Sequence, residues 1–138
     1  MASLNKVMII GNLGSDPEMR FTPNGNPVTS FTVATNRVYN TSDGERKTET
    51  EWFNVVAWNK LAEQCNQFLQ KGRLVYVEGR LRTRSWEGQD GQKHYRTEVI
   101  ANRITFLGGR QTAGGAAEEE VEDKGGEAEP EDINWGKN

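Results

Sequence analysis

Three tryptophans, Trp52, Trp58 and Trp86, share strand faces with basic or amide side chains rather than with aliphatic ones. In Glu51-Trp52-Phe53-Asn54-Val55-Val56-Ala57-Trp58, alternation with period two puts Trp52, Asn54, Val56 and Trp58 on one side and Phe53, Val55 and Ala57 on the other. In residues 78–86 one side reads Arg80, Arg82, Arg84, Trp86. Flat rings therefore lie beside a row of guanidinium groups. A core rejects that company, because buried unpaired charges cost more than buried rings return. Interface tryptophans covered by arginine stems would give a similar pattern. A surface that stacks nucleic-acid bases and holds phosphates needs this pairing: π-faces for the bases, fixed positive charge for the backbone.

The elements that must carry these side chains follow from periodicity and turn residues. Residues 4–13 read as a strand that is apolar on both faces, with Leu4, Met8 and Ile10 on one and Val7, Ile9 and Leu13 on the other. Such a strand must be covered on both sides, and in so small a domain one cover is the core and the other is expected to be a second subunit. Gly11, Gly14 and Asp16-Pro17 mark a bulge and a turn, and Pro23-Asn24-Gly25-Asn26 is a tight turn. A second strand spans 28–39, a polar hairpin tip 40–47 and a third strand 51–58. Asn59 is placed to cap a short helix with Leu61, Ala62, Cys65, Phe68 and Leu69 on its apolar face, and Gly72 to stop it. A fourth strand covers 74–86 and a fifth 95–107, the latter with Ile100, Ile104 and Phe106 on one face. Five strands with one helix between the third and fourth is the order of an OB-fold, an all-β Greek-key barrel.

Charge divides the chain in two. The formal net charge of −3 is the sum of +4 over residues 1–110 and −7 over residues 111–138. The acidic average thus hides a basic domain, 1–110, and an acidic tail, 111–138. The tail shows no apolar periodicity, and the chain's mean hydropathy of −0.80 is low for its length. The tail is expected to be disordered, since it cannot bury enough surface to offset the entropy of ordering. A single cysteine, Cys65, rules out an intrachain disulfide and favours a reducing compartment. With neither a signal-peptide pattern nor a long apolar run, a soluble, cytoplasmic protein is expected.

Taken together, several segments match a known pattern: residues 7–18, Asn24-Gly25, Thr50-Glu51-Trp52, Lys60-Leu61-Ala62-Glu63, Lys71-Gly72, residues 76–86 and Leu107-Gly108-Gly109-Arg110. Over residues 2–110 the chain resembles the bacterial single-stranded DNA-binding protein family. That resemblance implies a homotetramer of OB-folds around which single-stranded DNA wraps, with no catalytic activity and no cofactor. It implies base stacking at Trp52, Trp58, Trp86 and Tyr39, and backbone contacts at Lys60, Lys71, Arg82 and Arg84. Arg80 joins them through its place on the arginine face. Trp58 stands where phenylalanine is common and Tyr39 where tryptophan is; Asn54 and Ser85 replace common basic residues. The family's tail ends in an acidic, partner-docking tip for replication and repair proteins. Glu131, Asp132, Ile133 and Trp135 resemble it, but Gly136-Lys137-Asn138 follow.

Other classes fit less well. Gly11-Asn12-Leu13-Gly14 lacks the Gly-Lys-Ser/Thr of a phosphate loop. One histidine, His94, and one cysteine give no metal cluster. His94 reads as a hairpin side chain near the binding surface, and Cys65 as a buried structural thiol. Asp16 and Glu18 cap and solvate a turn rather than form a catalytic pair. An OB-fold adaptor that binds protein or RNA is the second reading, and the residues do not separate RNA from DNA.

Overall fold

The computed structural model describes residues 1–107 and the backbone of residues 119–122. Along the chain run β1 (Val7–Leu13), β2 (Glu18–Phe21), β3 (Pro27–Asn40), β4 (Arg46–Trp58), α1 (Asn59–Phe68), β5 (Leu74–Glu87), β6 (Lys93–Leu107) and β7 (Glu119–Glu122). Strands pair in the order β1-β5-β6-β4-β3-β2, and a further β1–β3 pairing closes β1, β5, β6, β4 and β3 into a barrel. β4 and β6 run parallel at Val55↔Val99 and Val56↔Ile100. This is the OB-fold, with β2 added as a short ribbon on β3 and β7 pairing with β6. Except for the β7 backbone, the expected disordered tail and its tip lie outside the described residues.

Closure depends on a change of partner within one strand. β1 pairs with β5 from Val7↔Gly79 to Asn12↔Leu74, and with β3 at Asn12↔Ala34 and Leu13↔Val33. A Cβ at Gly11 would collide with the Ala34 carbonyl, so only glycine lets the two backbones meet there. Inside the barrel, Ile9, Leu13, Phe31, Val33, Val55, Ala57, Val75, Val77, Val99, Ile104 and Phe106 form one core. Helix α1 plugs one end through Leu61, Ala62 and Cys65, and the buried Thr29 hydroxyl donates to the Ala62 carbonyl at 2.7 Å. Burial pushes the Cys65 thiol up to about 12, in keeping with a structural role.

Several local expectations change. β4 starts at Arg46, because β3 and β4 stay paired as far as Asn40↔Arg46 around a turn at Gly44 (φ 87°). β1 starts at Val7 rather than at residue 4. Asn59 does not cap α1. It sits in the left-handed region at φ 59°, the helix has no side-chain cap, and Gly72 (φ 94°) shapes the loop beyond the helix end. Ile100 leaves the face of Ile104 and Phe106, because Gly79 pairs with Ala101 and Glu78 with Arg103. The extra residue, Asn102, forms a bulge and resets the alternation. Ile100 then packs outside the barrel with Val28, Val56 and Trp58.

The double-sided β1 is resolved. Ile9 and Leu13 enter the core and Val7 packs against it, while Met8 and Ile10 are exposed. The exposed pair lies opposite Glu78 and Tyr76 of β5. There the Tyr76 hydroxyl donates to Glu78 at 2.7 Å, and Lys6 pairs with Glu78 at 3.0 Å. The Tyr76 hydroxyl first, and the Lys6 ammonium after it, hold the Glu78 carboxyl below its ordinary range.

Candidate nucleic-acid interface

The outward face of β3, β4, β6 and β5 is fixed by register. Ala34 pairs with Trp52, Thr32 with Asn54, Ser30 with Val56 and Val28 with Trp58. On the neighbouring pair, Ile100 lies opposite Arg80, Glu98 opposite Arg82, Arg96 opposite Arg84 and His94 opposite Trp86. The strands thus bring Trp52, Trp58, Trp86 and the three arginines onto one continuous surface, as the alternation predicts.

Exposure divides these residues. Trp52 is open, with 58% of its surface accessible. Its ring lies over Gly14, where any Cβ would strike the indole and crowd the Thr32 hydroxyl. Behind it, the hydroxyls of Ser15 and Thr32 lie 3.2 Å apart. Trp58 is only 6% exposed and belongs to the outer apolar cluster. Its indole N–H is buried without an acceptor, a state that costs about 1–3 kcal/mol. An open stacking ring at Trp58 is therefore not what the structure presents. Its period-two partner Val56 is covered by Val28 and Ile100, and Trp58 with it.

Arg84 also differs from expectation. Its side chain is 7% exposed and faces Glu98, itself 3% exposed, at 4.0 Å. The guanidinium lies 5.3 Å from the Trp86 ring centroid. Trp86 in turn stacks on His94 at 5.7 Å and 24°. Sequence alternation placed Arg84 correctly but could not show that a carboxylate across the sheet would let it be buried. Glu98 is the residue that reasoning missed. Desolvation raises its carboxyl above the ordinary range, while Arg84, Arg96 and Arg82 pull it back. Arg96 donates to the Asn54 side-chain oxygen at 2.8 Å. Asn54, Arg96 and Glu98, with Ser15, Ser30 and Thr32, line a shallow pocket of about 250 Å³.

The remaining candidates sit around this surface. Arg80 and Arg82 are half-buried, and Lys60 and Lys71 are exposed at the start of α1 and beyond its end. The Lys71 backbone N–H donates to Asp16 at 2.8 Å, which ties that loop to the β1–β2 turn. Tyr39 stands apart. Unbroken β3–β4 register places it on the face opposite Trp52, with the Arg37 guanidinium 5.0 Å from its ring. Glu131, Asp132, Ile133 and Trp135 lie outside the described residues. Among the described residues no cluster of three or more His, Cys, Asp or Glu could hold a metal ion.

The single-strand binding protein family profile matches residues 4–107. The chain is 48% identical over 116 residues to single-stranded DNA-binding protein 1 of Chlorobaculum tepidum, covering 83% of this chain and 72% of that one. It is 48% identical over 119 residues to the single-stranded DNA-binding protein of Neisseria meningitidis serogroup A, covering 86% and 68%. Among solved structures, the Plasmodium falciparum SSB complex with ssDNA superposes with a TM-score of 0.71 at 34% identity, over 78% of this chain and 97% of that one. With that profile matched over most of its length and relatives at 48% identity, the chain belongs to the single-strand binding protein family.

Two outcomes test this geometry. Trp58→Ala should lower stability by about 3–5 kcal/mol, as expected for a buried tryptophan, while Trp52→Ala changes it by under about 1 kcal/mol. Urea unfolding followed by circular dichroism measures both, and equal losses would contradict the assigned burial. Glu98 makes stability depend on pH. Its carboxyl is raised in the folded chain, so its contribution is complete in acid and is lost as pH rises through the folded value. The stability of the parent relative to Glu98→Gln should therefore be greater near about pH 5 than near about pH 8. A difference that is constant with pH would show that the Glu98 carboxyl is not raised on folding, the arginines then offsetting its desolvation.

Proposed function

We propose that this chain binds single-stranded DNA irrespective of sequence and protects it during replication, recombination and repair, as a non-catalytic, cytoplasmic protein associated with the nucleoid. The observation that carries this reading is the shared outward face, where the open Trp52 and the Arg84-backed Trp86 lie among Arg80, Arg82 and Arg96. Stacked bases need the rings, and phosphates need the charge. Lys60 and Lys71 extend the positive surface beyond the sheet, and Tyr39 offers a separate ring on the opposite face of the β3–β4 arm. Trp58 and Arg84 serve from beneath, as the floor of the face and the support of Trp86. The family of the chain, and the relatives named for single-stranded DNA, support DNA over RNA. No helix among the described residues is long and apolar enough to cross a membrane.

The protein works as a homotetramer. The exposed Met8 and Ile10 on β1, flanked by Tyr76 and the Lys6–Glu78 pair, offer an apolar strip with polar edges that suits a second copy of the chain. Covering each such side chain contributes about 1.5–3 kcal/mol. The tail, 111–138, recruits replication and repair proteins through Glu131, Asp132, Ile133 and Trp135, and its charge of −7 competes with DNA for the basic face at low salt.

Titration of tryptophan fluorescence with poly(dT), poly(rU) and duplex DNA at two salt concentrations tests the binding. Poly(dT) should bind tightest. Trp52→Ala should lose about 1–3 kcal/mol of binding, the size known for base–aromatic stacks in such proteins. Deleting residues 111–138 should tighten binding most at low salt and abolish retention of replication and repair proteins. Binding to duplex as tight as to poly(dT) would reject the proposal. For assembly, light scattering should give a tetramer mass for the parent and a smaller mass for Ile10→Asp, with its circular dichroism unchanged. A monomer mass for the parent would reject it.

A further inference from the structure

The outward face ends, at the β5–β6 hairpin, in a chain of contacts that runs from a buried carboxylate to an exposed one. Glu98 faces Arg84 at 4.0 Å, and Arg84 lies 5.3 Å from the Trp86 centroid. Trp86 stacks on His94 at 5.7 Å with 24° between the rings, and His94 Nε2 lies 3.3 Å from Asp90 Oδ1. Trp86 is half-buried, and two neighbours already occupy its ring. The His94 side chain, 43% exposed, gives this stack an accessible end.

The seat of His94 is built rather than incidental. His94 lies directly across the ladder from Trp86. A Cβ on Gly88 would come within 2.6 Å of His94 Nε2 and 2.8 Å of Asp90 Oδ1, so the turn residue leaves the space that the ring and its acceptor fill. Asp90 is itself fixed, since the Gln92 backbone N–H donates to the same oxygen at 3.0 Å. That backbone hydrogen bond first, and the His94 ring second, hold the Asp90 carboxyl below its ordinary range, so Asp90 is an acceptor and Nε2–H the donor. The imidazole is thereby pinned at its edge by Asp90 and at its face by Trp86. An ionised carboxylate beside the ring repels phosphate. Beside that carboxylate, the imidazole itself suits the uncharged, flat face of a base rather than a phosphate.

We propose that His94 is a base-stacking residue of the single-strand interface, with Trp86 as its backing ring, so that a base at this end of the sheet lands on the imidazole. The inference rests on the reading of the face as a single-stranded DNA surface. It adds a contact residue at the hairpin and makes the Trp86 contribution partly indirect.

Because His94 is the only histidine in the chain, its chemistry can be followed without ambiguity. The first measurement is the rate of carbethoxylation by diethyl pyrocarbonate, with and without saturating dT oligomer, on the full-length protein. The second is fluorescence anisotropy of a labelled dT oligomer with the parent, His94→Ala and His94→Phe. The expected results are protection of His94 by DNA, binding about tenfold weaker for His94→Ala, and binding within about twofold of the parent for His94→Phe, which keeps a flat ring. Modification at an unchanged rate in the presence of DNA overturns the proposal, because a residue that only supports Trp86 would stay reactive. So does a His94→Ala protein that binds like the parent, or a His94→Phe protein as weak as His94→Ala. Trp52→Ala separates the two levels of the argument. If it weakens binding while His94→Ala does not, the DNA-binding reading stands and only the role of His94 falls. If the parent itself fails to bind the oligomer, the DNA-binding reading fails.

Discussion

The pairing of β1 with β3 at Asn12↔Ala34 and Leu13↔Val33 is the contact on which the rest of the molecule depends. It turns a curved sheet into a closed barrel and so removes the open edge that an OB-fold of this size could not otherwise protect. It also sets the binding surface. Ala34, the residue that β1 meets, is the cross-strand partner of Trp52. Gly14, immediately after β1, leaves the space under the Trp52 ring. Barrel closure and the position of the open tryptophan therefore rest on the same few backbone atoms.

Much of this was legible in the sequence because the strands are long and their alternation is clean. Phe53, Val55 and Ala57 turn inward or pack on the core, Trp52 and Asn54 turn outward, and the arginine row of β5 follows Trp86 to the same face. The helix, the Asn24-Gly25 turn and the buried Cys65 follow from local patterns of equal strength. The failures share a cause. Alternation assigns a residue to a face but says nothing of what covers that face. Trp58 and Val56 point outward and are still buried, because Val28 and Ile100 converge on them from strands distant in sequence. Arg84 is buried beside Glu98, which lies diagonally from it on the neighbouring strand, and no local signal pairs residues fourteen positions apart. Ile100 changed sides because one residue, Asn102, bulges. β2 is short and mostly exposed, so it carries almost no apolar pattern to read.

The surface that results is layered. Trp52, Lys60 and Lys71 are open to solvent and His94 is partly so, whereas Arg84, Glu98 and Trp58 lie just below. A carboxylate among three arginines looks opposed to binding a polyanion. It offsets part of their charge at the sheet surface and faces the one arginine that lies over Trp86. Burial of such a pair adds little net stability. It fixes geometry instead, which matters more to a face that must meet many sequences with the same few rings.

Cys65 has a consequence of a different kind. Nucleophilic attack on an oxidant or an alkylating agent requires a thiolate, and a thiol sealed inside the barrel and pushed up to about 12 supplies virtually none near neutrality. Cys65 is thus chemically silent while the chain is folded. A mixed disulfide at Cys65 therefore requires the chain to open first. A single cysteine placed by design on the β3–β4 arm would be the one site to take up a thiol-directed dye, with the native residue left in place.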